Sequence, residues 1–157
     1  MPGRRFITSI AWDGKTLAAD GRTTWDGVII EDSSKKIYKL IGNLGDEKLL
    51  AFASCGYADG SEYIKYWLET GAIPEEYPRG IEVSLIVVTD VNVYTAFGGS
   101  EDGVCRLCRG RNREANGSGR DFVYSALTLG MDAVQAVKHA CKLDIYSGGK
   151  ITKLKLR

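Results

Sequence analysis

The chain has 157 residues, 44% hydrophobic and 26% charged, which suits one folded domain with its own core. Its 21 basic and 20 acidic residues leave a formal net charge of +1, so no global field draws nucleic acid or an anionic membrane. No apolar run approaches the roughly 18 residues that cross a bilayer, and four irregularly spaced cysteines do not make a secreted disulfide framework.

Two arginines near the start are not followed by an apolar stretch, so a secretory signal is not expected. The expected compartment is a reducing cytoplasm. Nineteen glycines against three prolines point to many tight turns in a strand-rich chain.

Residues 6–12 are apolar and β-prone. Asp13-Gly14 and a second run over 15–19 follow, which is a hairpin signal. Residues 28–31 and 36–40 read as short strands, and 49–53 as a buried one. The period then changes. Tyr63, Ile64, Trp67 and Leu68 make one helical stripe, with Asp59 or Ser61 as a cap and Gly71 at the end. Residues 72–80 form a loop and 81–89 a central strand rich in Val and Ile. Asp90-Val91-Asn92 turns the chain into 93–97, and Glu101-Asp102-Gly103 turns it into 104–108.

Residues 109–116 are polar and irregular. After Gly117-Ser118-Gly119, Phe122, Val123, Ala126 and Leu127 mark a helix that stops at Gly130. Asp132 then caps a second helix bearing Ala133, Val134, Val137, Ala140 and Cys141. Residues 144–149 form a loop. Ile151, Leu154 and Leu156 belong to a last strand. This order lacks the β-α-β alternation of a doubly wound sheet and fits two antiparallel sheets with helices, an α+β chain.

Four ordered motifs carry a resemblance. They are Leu17-Ala18-Ala19-Asp20-Gly21-Arg22, Lys35-Lys36-Ile37-Tyr38-Lys39, Gly117-Ser118-Gly119 and Asp144-Ile145-Tyr146-Ser147-Gly148-Gly149. In this order the chain resembles the proteasome β-subunit family of N-terminal-nucleophile hydrolases and its short bacterial and phage members. The 16-residue step from Asp20 to Lys36 is also the family's. The resemblance covers nearly the whole chain and implies a four-layer αββα sandwich in one domain.

It also implies a chemistry. In the family an N-terminal threonine hydroxyl attacks a peptide carbonyl, and its own α-amine takes the proton. A buried lysine favours the deprotonated forms, and an aspartate keeps that lysine charged. Carried over by motif, Lys36 is that lysine and Asp20 its partner. Ser118, Asp144 and Ser147 position the amine and water. The oxyanion donor falls near Ser54 and Cys55, in register left open.

The nucleophile departs from the pattern. The family's spacing, counted back from Asp20, lands on Arg4, which cannot attack a carbonyl. A shortened first hairpin makes Thr8 the nucleophile instead, and Thr8-Ser9-Ile10-Ala11 is similar to the start of short family members. Asp13-Gly14 then sets Thr8 opposite the region of Ala19 and Asp20. This requires removal of residues 1–7, as of a self-cleaved propeptide. With those residues attached Thr8 has no free α-amine, and an inactive homologue is the alternative. The partners implied are a peptide or protein substrate, a homo-oligomeric ring and an unfoldase, with no cofactor or metal.

Other signals are weaker. Cys105 and Cys108 form a C-x-x-C, but His139 and Cys141 do not share a helix face to complete a zinc site. Cys55 has no evident histidine partner. Arg106, Arg109, Arg111 and Arg113 lack interleaved aromatics, so they read as a solvated loop or subunit contact rather than a nucleic-acid surface.

Overall fold

The computed structural model describes residues 8–56, 61–71, 83–98 and 106–157. Strand β1 (Ile10–Trp12) turns at Asp13-Gly14 into β2 (Thr16–Ala19), with Ile10 opposite Ala19 and Trp12 opposite Leu17. Of the two turn residues only Gly14 has a positive φ, 98°. Asp13 closes the turn with its side chain instead. Its Oδ1 accepts the N–H groups of Lys15 at 2.9 Å and Thr16 at 2.8 Å.

An Asp-Gly pair with both φ positive occurs elsewhere, at Asp26 (46°) and Gly27 (80°). It joins β3 (Thr23–Trp25) to β4 (Val28–Glu31) in a two-stranded ribbon. Sequence pattern places only the second of these strands, because three residues are too few to display a period.

Chain order continues with β5 (Ile37–Lys39), β6 (Asn43–Leu44), β7 (Glu47–Gly56), α1 (Ser61–Thr70), β8 (Val83–Thr89), β9 (Val93–Gly98), β10 (Arg106–Arg109), β11 (Glu114–Asn116), α2 (Arg120–Thr128), α3 (Ala133–Leu143) and β12 (Thr152–Lys155). This is an α+β arrangement. One sheet has the order β11-β1-β2-β12, and a larger one has β10-β9-β8-β7-β5, with β6 against β7. Every strand pair among them is antiparallel.

Strand β11 lies where polar residues predict irregular chain. Its extended form comes from its partner, with Asn116 opposite Ile10 and Ala115 opposite Ala11. Strand propensity of this kind is set by tertiary context. The expected turn at residues 101–103 and the candidate cap Asp59 lie outside the described residues. Asp132 caps α3 as expected, in a capping box: Asp132 Oδ1 accepts Gln135 N–H at 2.8 Å, and Gln135 Oε1 accepts Asp132 N–H at 3.0 Å.

Strand alternation sorts the core into three clusters. Ile10, Trp12, Leu17 and Ala19 point from the first sheet to Ala51, Ala53, Cys55, Ile86 and Val88 of the second. The opposite face of the first sheet, Ala11 and Ala18, meets Val123, Ala126, Ala136, Val137 and Ala140 of α2 and α3. Alanine on both sides of this contact allows backbones to approach closely. Phe52, Leu85 and Val87, on the outer face of the second sheet, pack on Ile64 and Leu68 of α1. Among the described residues no helix is long and apolar enough to cross a membrane.

Candidate active site

The register of the first hairpin sets Ser9 across from Asp20. Asp20 N–H donates to the Ser9 carbonyl at 3.1 Å, and Ser9 N–H donates to Asp20 Oδ1 at 3.2 Å. Thr8 is therefore the next residue beyond this pair. Thr8, Ser9 and Asp20 are fully buried.

Lys36 enters from the start of β5, where its carbonyl accepts the Ser54 N–H of β7 at 3.0 Å. Its side chain is 4% exposed. The ammonium donates to Asp20 Oδ1 at 2.7 Å, to the Arg22 carbonyl at 2.6 Å and to Thr8 Oγ1. An ammonium has three N–H donors, so all are used. Asp20 Oδ2 accepts Gly148 N–H at 2.9 Å. The carboxylate is thus satisfied by one cation and two backbone amides.

A second polar group adjoins the first. Asp144, at the end of α3, accepts from Ser118 Oγ at 2.5 Å and from Ser147 Oγ at 2.6 Å. Ser9 Oγ lies 2.7 Å from Ser147 Oγ. Ser147 gives its one proton to Asp144, so Ser9 donates to Ser147. Ser9 therefore joins the two groups, with its backbone on Asp20 and its hydroxyl on Ser147. No motif marks it. Alternation across the β1–β2 pair was the signal that could have found it.

Two glycines allow this packing. A Cβ on Gly117, whose φ is 95°, would fall inside the Thr8 carbonyl, and one on Gly119 would collide with Ser9 Oγ. Only glycine leaves space for backbone at such an approach.

The motifs place eight positions at the site. Thr8, Asp20 and Lys36 meet in one buried group. Ser118, Asp144 and Ser147 meet in the adjoining one. Ser54 and Cys55 lie on β7, the strand beside Lys36. The Ser54 N–H is committed to Lys36, and its hydroxyl lies 3.0 Å from Ser61 Oγ. The Ser54 amide is therefore not free to serve as an oxyanion donor. Burial pushes the Cys55 thiol up to about 12, so at neutral pH it holds its proton and is a poor nucleophile. Residues 1–7 and Cys105 lie outside the described residues.

Burial lowers the Lys36 ammonium from the ordinary lysine value of 10.5, against the pull of the Asp20 carboxylate. Between the lowered value and 10.5 the unfolded chain holds a proton that the folded chain has released. Stability from this group is fully present above 10.5 and lost as pH falls through the folded value. Urea denaturation across that alkaline window should show a positive slope that disappears in Lys36→Met. An unchanged slope in the variant would assign the effect elsewhere.

No family model matches the sequence, and no curated protein matches it. Among solved structures, Thiobacillus denitrificans BPH in complex with epoxomicin is similar, with a TM-score of 0.67 at 15% identity, covering 96% of this chain and 97% of that one. A structure of Thiobacillus denitrificans BPH gives 0.63 at 16% identity over the same shares. At this identity the likeness is one of fold.

Proposed function

We propose that this chain is a proteasome-like threonine-type peptidase or amidohydrolase whose nucleophile is Thr8. The observation that carries the reading is the Lys36 ammonium held between Asp20 and the Thr8 hydroxyl in a buried site. Around it, the three packing clusters are read as the interfaces of a four-layer αββα sandwich in one domain, with residues 1–7 as a leader. The similar Thiobacillus protein binds epoxomicin, a proteasome inhibitor, which fits a site of this class.

Removal of the leader would give Thr8 a free α-amine. The Thr8 hydroxyl then attacks the substrate carbonyl, and its proton passes to that amine, while the Lys36 ammonium favours the deprotonated oxygen. The C–N bond breaks, the leaving amine takes the proton, and an ester to Thr8 remains. Water hydrolyses the ester and restores the hydroxyl. Ser118, Asp144, Ser147 and Ser9 hold the amine and water in place, and a backbone N–H other than that of Ser54 stabilises the oxyanion. Enclosure of this site in a homo-oligomeric ring, fed by an unfoldase in a reducing cytoplasm, belongs to the same proposal.

A rival reading is a non-catalytic assembly protein with its N-terminus intact. The complete burial of Thr8 favours it. Intact mass spectrometry of the purified chain separates the two. The expected product starts at Thr8, cleaves peptides and gains the mass of epoxomicin, while Thr8→Ala stays full length and inactive. Full-length chain alone, with no hydrolysis and no adduct, would establish the rival instead.

A further inference from the structure

A cavity of about 700 Å³ lies near the Asp13-Gly14 turn, away from Thr8. Strand β1 connects the two places, roughly 13 Å apart for four residue steps of extended chain. Arg109, Arg111, Arg113 and Arg157 line this cavity, against one carboxylate, that of Asp13. Sequence spacing groups the first three arginines. Arg157 joins them only through the fold.

The acidic groups nearby offset only part of this charge: Glu114 acts on Arg111 and Glu47 on Arg109 without a salt bridge to either. Asp13 Oδ1 accepts the Lys15 and Thr16 N–H groups, and its Oδ2 accepts Ala133 N–H at 2.9 Å. Glu114 Oε1 accepts the Arg111 backbone N–H at 2.6 Å. The guanidiniums are oriented by neutral acceptors. Arg109 donates to Asn92 Oδ1 at 2.7 Å, Arg111 to the Tyr124 hydroxyl at 3.1 Å and Arg157 to the Thr89 carbonyl at 2.9 Å. Among the described residues none of the four forms an ion pair with a carboxylate.

Four like charges around one concavity repel, and such a cleft concentrates counter-ions. The guanidinium fork matches phosphate oxygens in pairs. The volume is within the usual range for small-ligand cavities. A single-stranded nucleic acid would need exposed rings for base stacking. Here Trp12 is fully buried with the Arg157 guanidinium 5.4 Å over its ring, and the Tyr124 hydroxyl is tied to Arg111.

From this arrangement we propose that the arginine-lined cavity binds a small molecule carrying an oligophosphate chain. The site uses none of the Thr8 chemistry, so it stands or falls independently of hydrolysis.

The experiment is isothermal titration of the full chain with inorganic tripolyphosphate, ATP and a single-stranded oligonucleotide at fixed physiological salt. Saturable binding of tripolyphosphate at one site per chain is expected. Arg113→Gln, at an exposed position, and the double variant R109Q/R113Q should each weaken it about tenfold or more. Equal affinity for ATP identifies the phosphate chain as the whole determinant, and tighter ATP binding adds a nucleoside contact to it. Absence of tripolyphosphate binding, affinity unchanged in folded Arg113→Gln, or tighter binding of the oligonucleotide would overturn the proposal.

Discussion

Lys36→Met is expected to destabilise the chain by about 3–5 kcal/mol, the usual result of leaving one member of a buried ion pair uncompensated. Asp20 would keep two amide donors, from Ser9 and Gly148, but lose its only cation among the described residues. The double variant D20N/K36M should recover part of that loss, because neutral asparagine removes the stranded charge, while its single oxygen accepts only one of the two amides. The proposed hydrolysis behaves differently. It should fall about 10²–10³-fold in the single variant, the range for loss of one preorganised electrostatic donor, and stay low in the double variant. Residual activity should lack the fall toward alkaline pH that loss of the Lys36 proton produces. Recovery of stability and activity together would make Lys36 a structural residue only.

Gly117→Ala is expected to be nearly as damaging through the backbone alone. Its φ of 95° is costly for alanine, and the added Cβ would occupy the place of the Thr8 carbonyl. A loss of about 3 kcal/mol or more is expected from strain and collision combined. Gly130→Ala supplies the control. Its φ is 96°, yet nothing lies within 4 Å of the added atom. It should therefore cost only the conformational part, about 1–2 kcal/mol. The difference between the two midpoints in urea isolates the approach to Thr8. Equal losses would show that Thr8 moves aside without cost.

The elements most legible in the sequence carry their own local signal. The stripe Tyr63, Ile64, Trp67, Leu68 becomes α1, and Asp132 caps α3 by bonds reaching only three residues. The gathering of Asp20 and Lys36 was legible through motif spacing. Elements whose form comes from a partner were not legible. Strand β11 is extended because β1 lies beside it, and β3 is too short to show a period. The same distinction holds at the site. Ser9 looks like an ordinary strand residue until Asp20 is placed opposite, and the Ser54 amide looks free until Lys36 is placed beside it.

The Asp20 carboxylate takes its last donor from Gly148, 128 positions further along, and Ser9 is held by Ser147 across 138. Contacts that close such long loops form late, because loop entropy must be met before they repay it. On a growing chain neither contact can form until residues 147 and 148 have been synthesised and docked. The surroundings of Thr8 are therefore incomplete until residues 147 and 148 are in place. Under the proposed chemistry this works as a timer: the leader stays attached until residues 147 and 148 have docked, and the nucleophile is released only once its surroundings have formed.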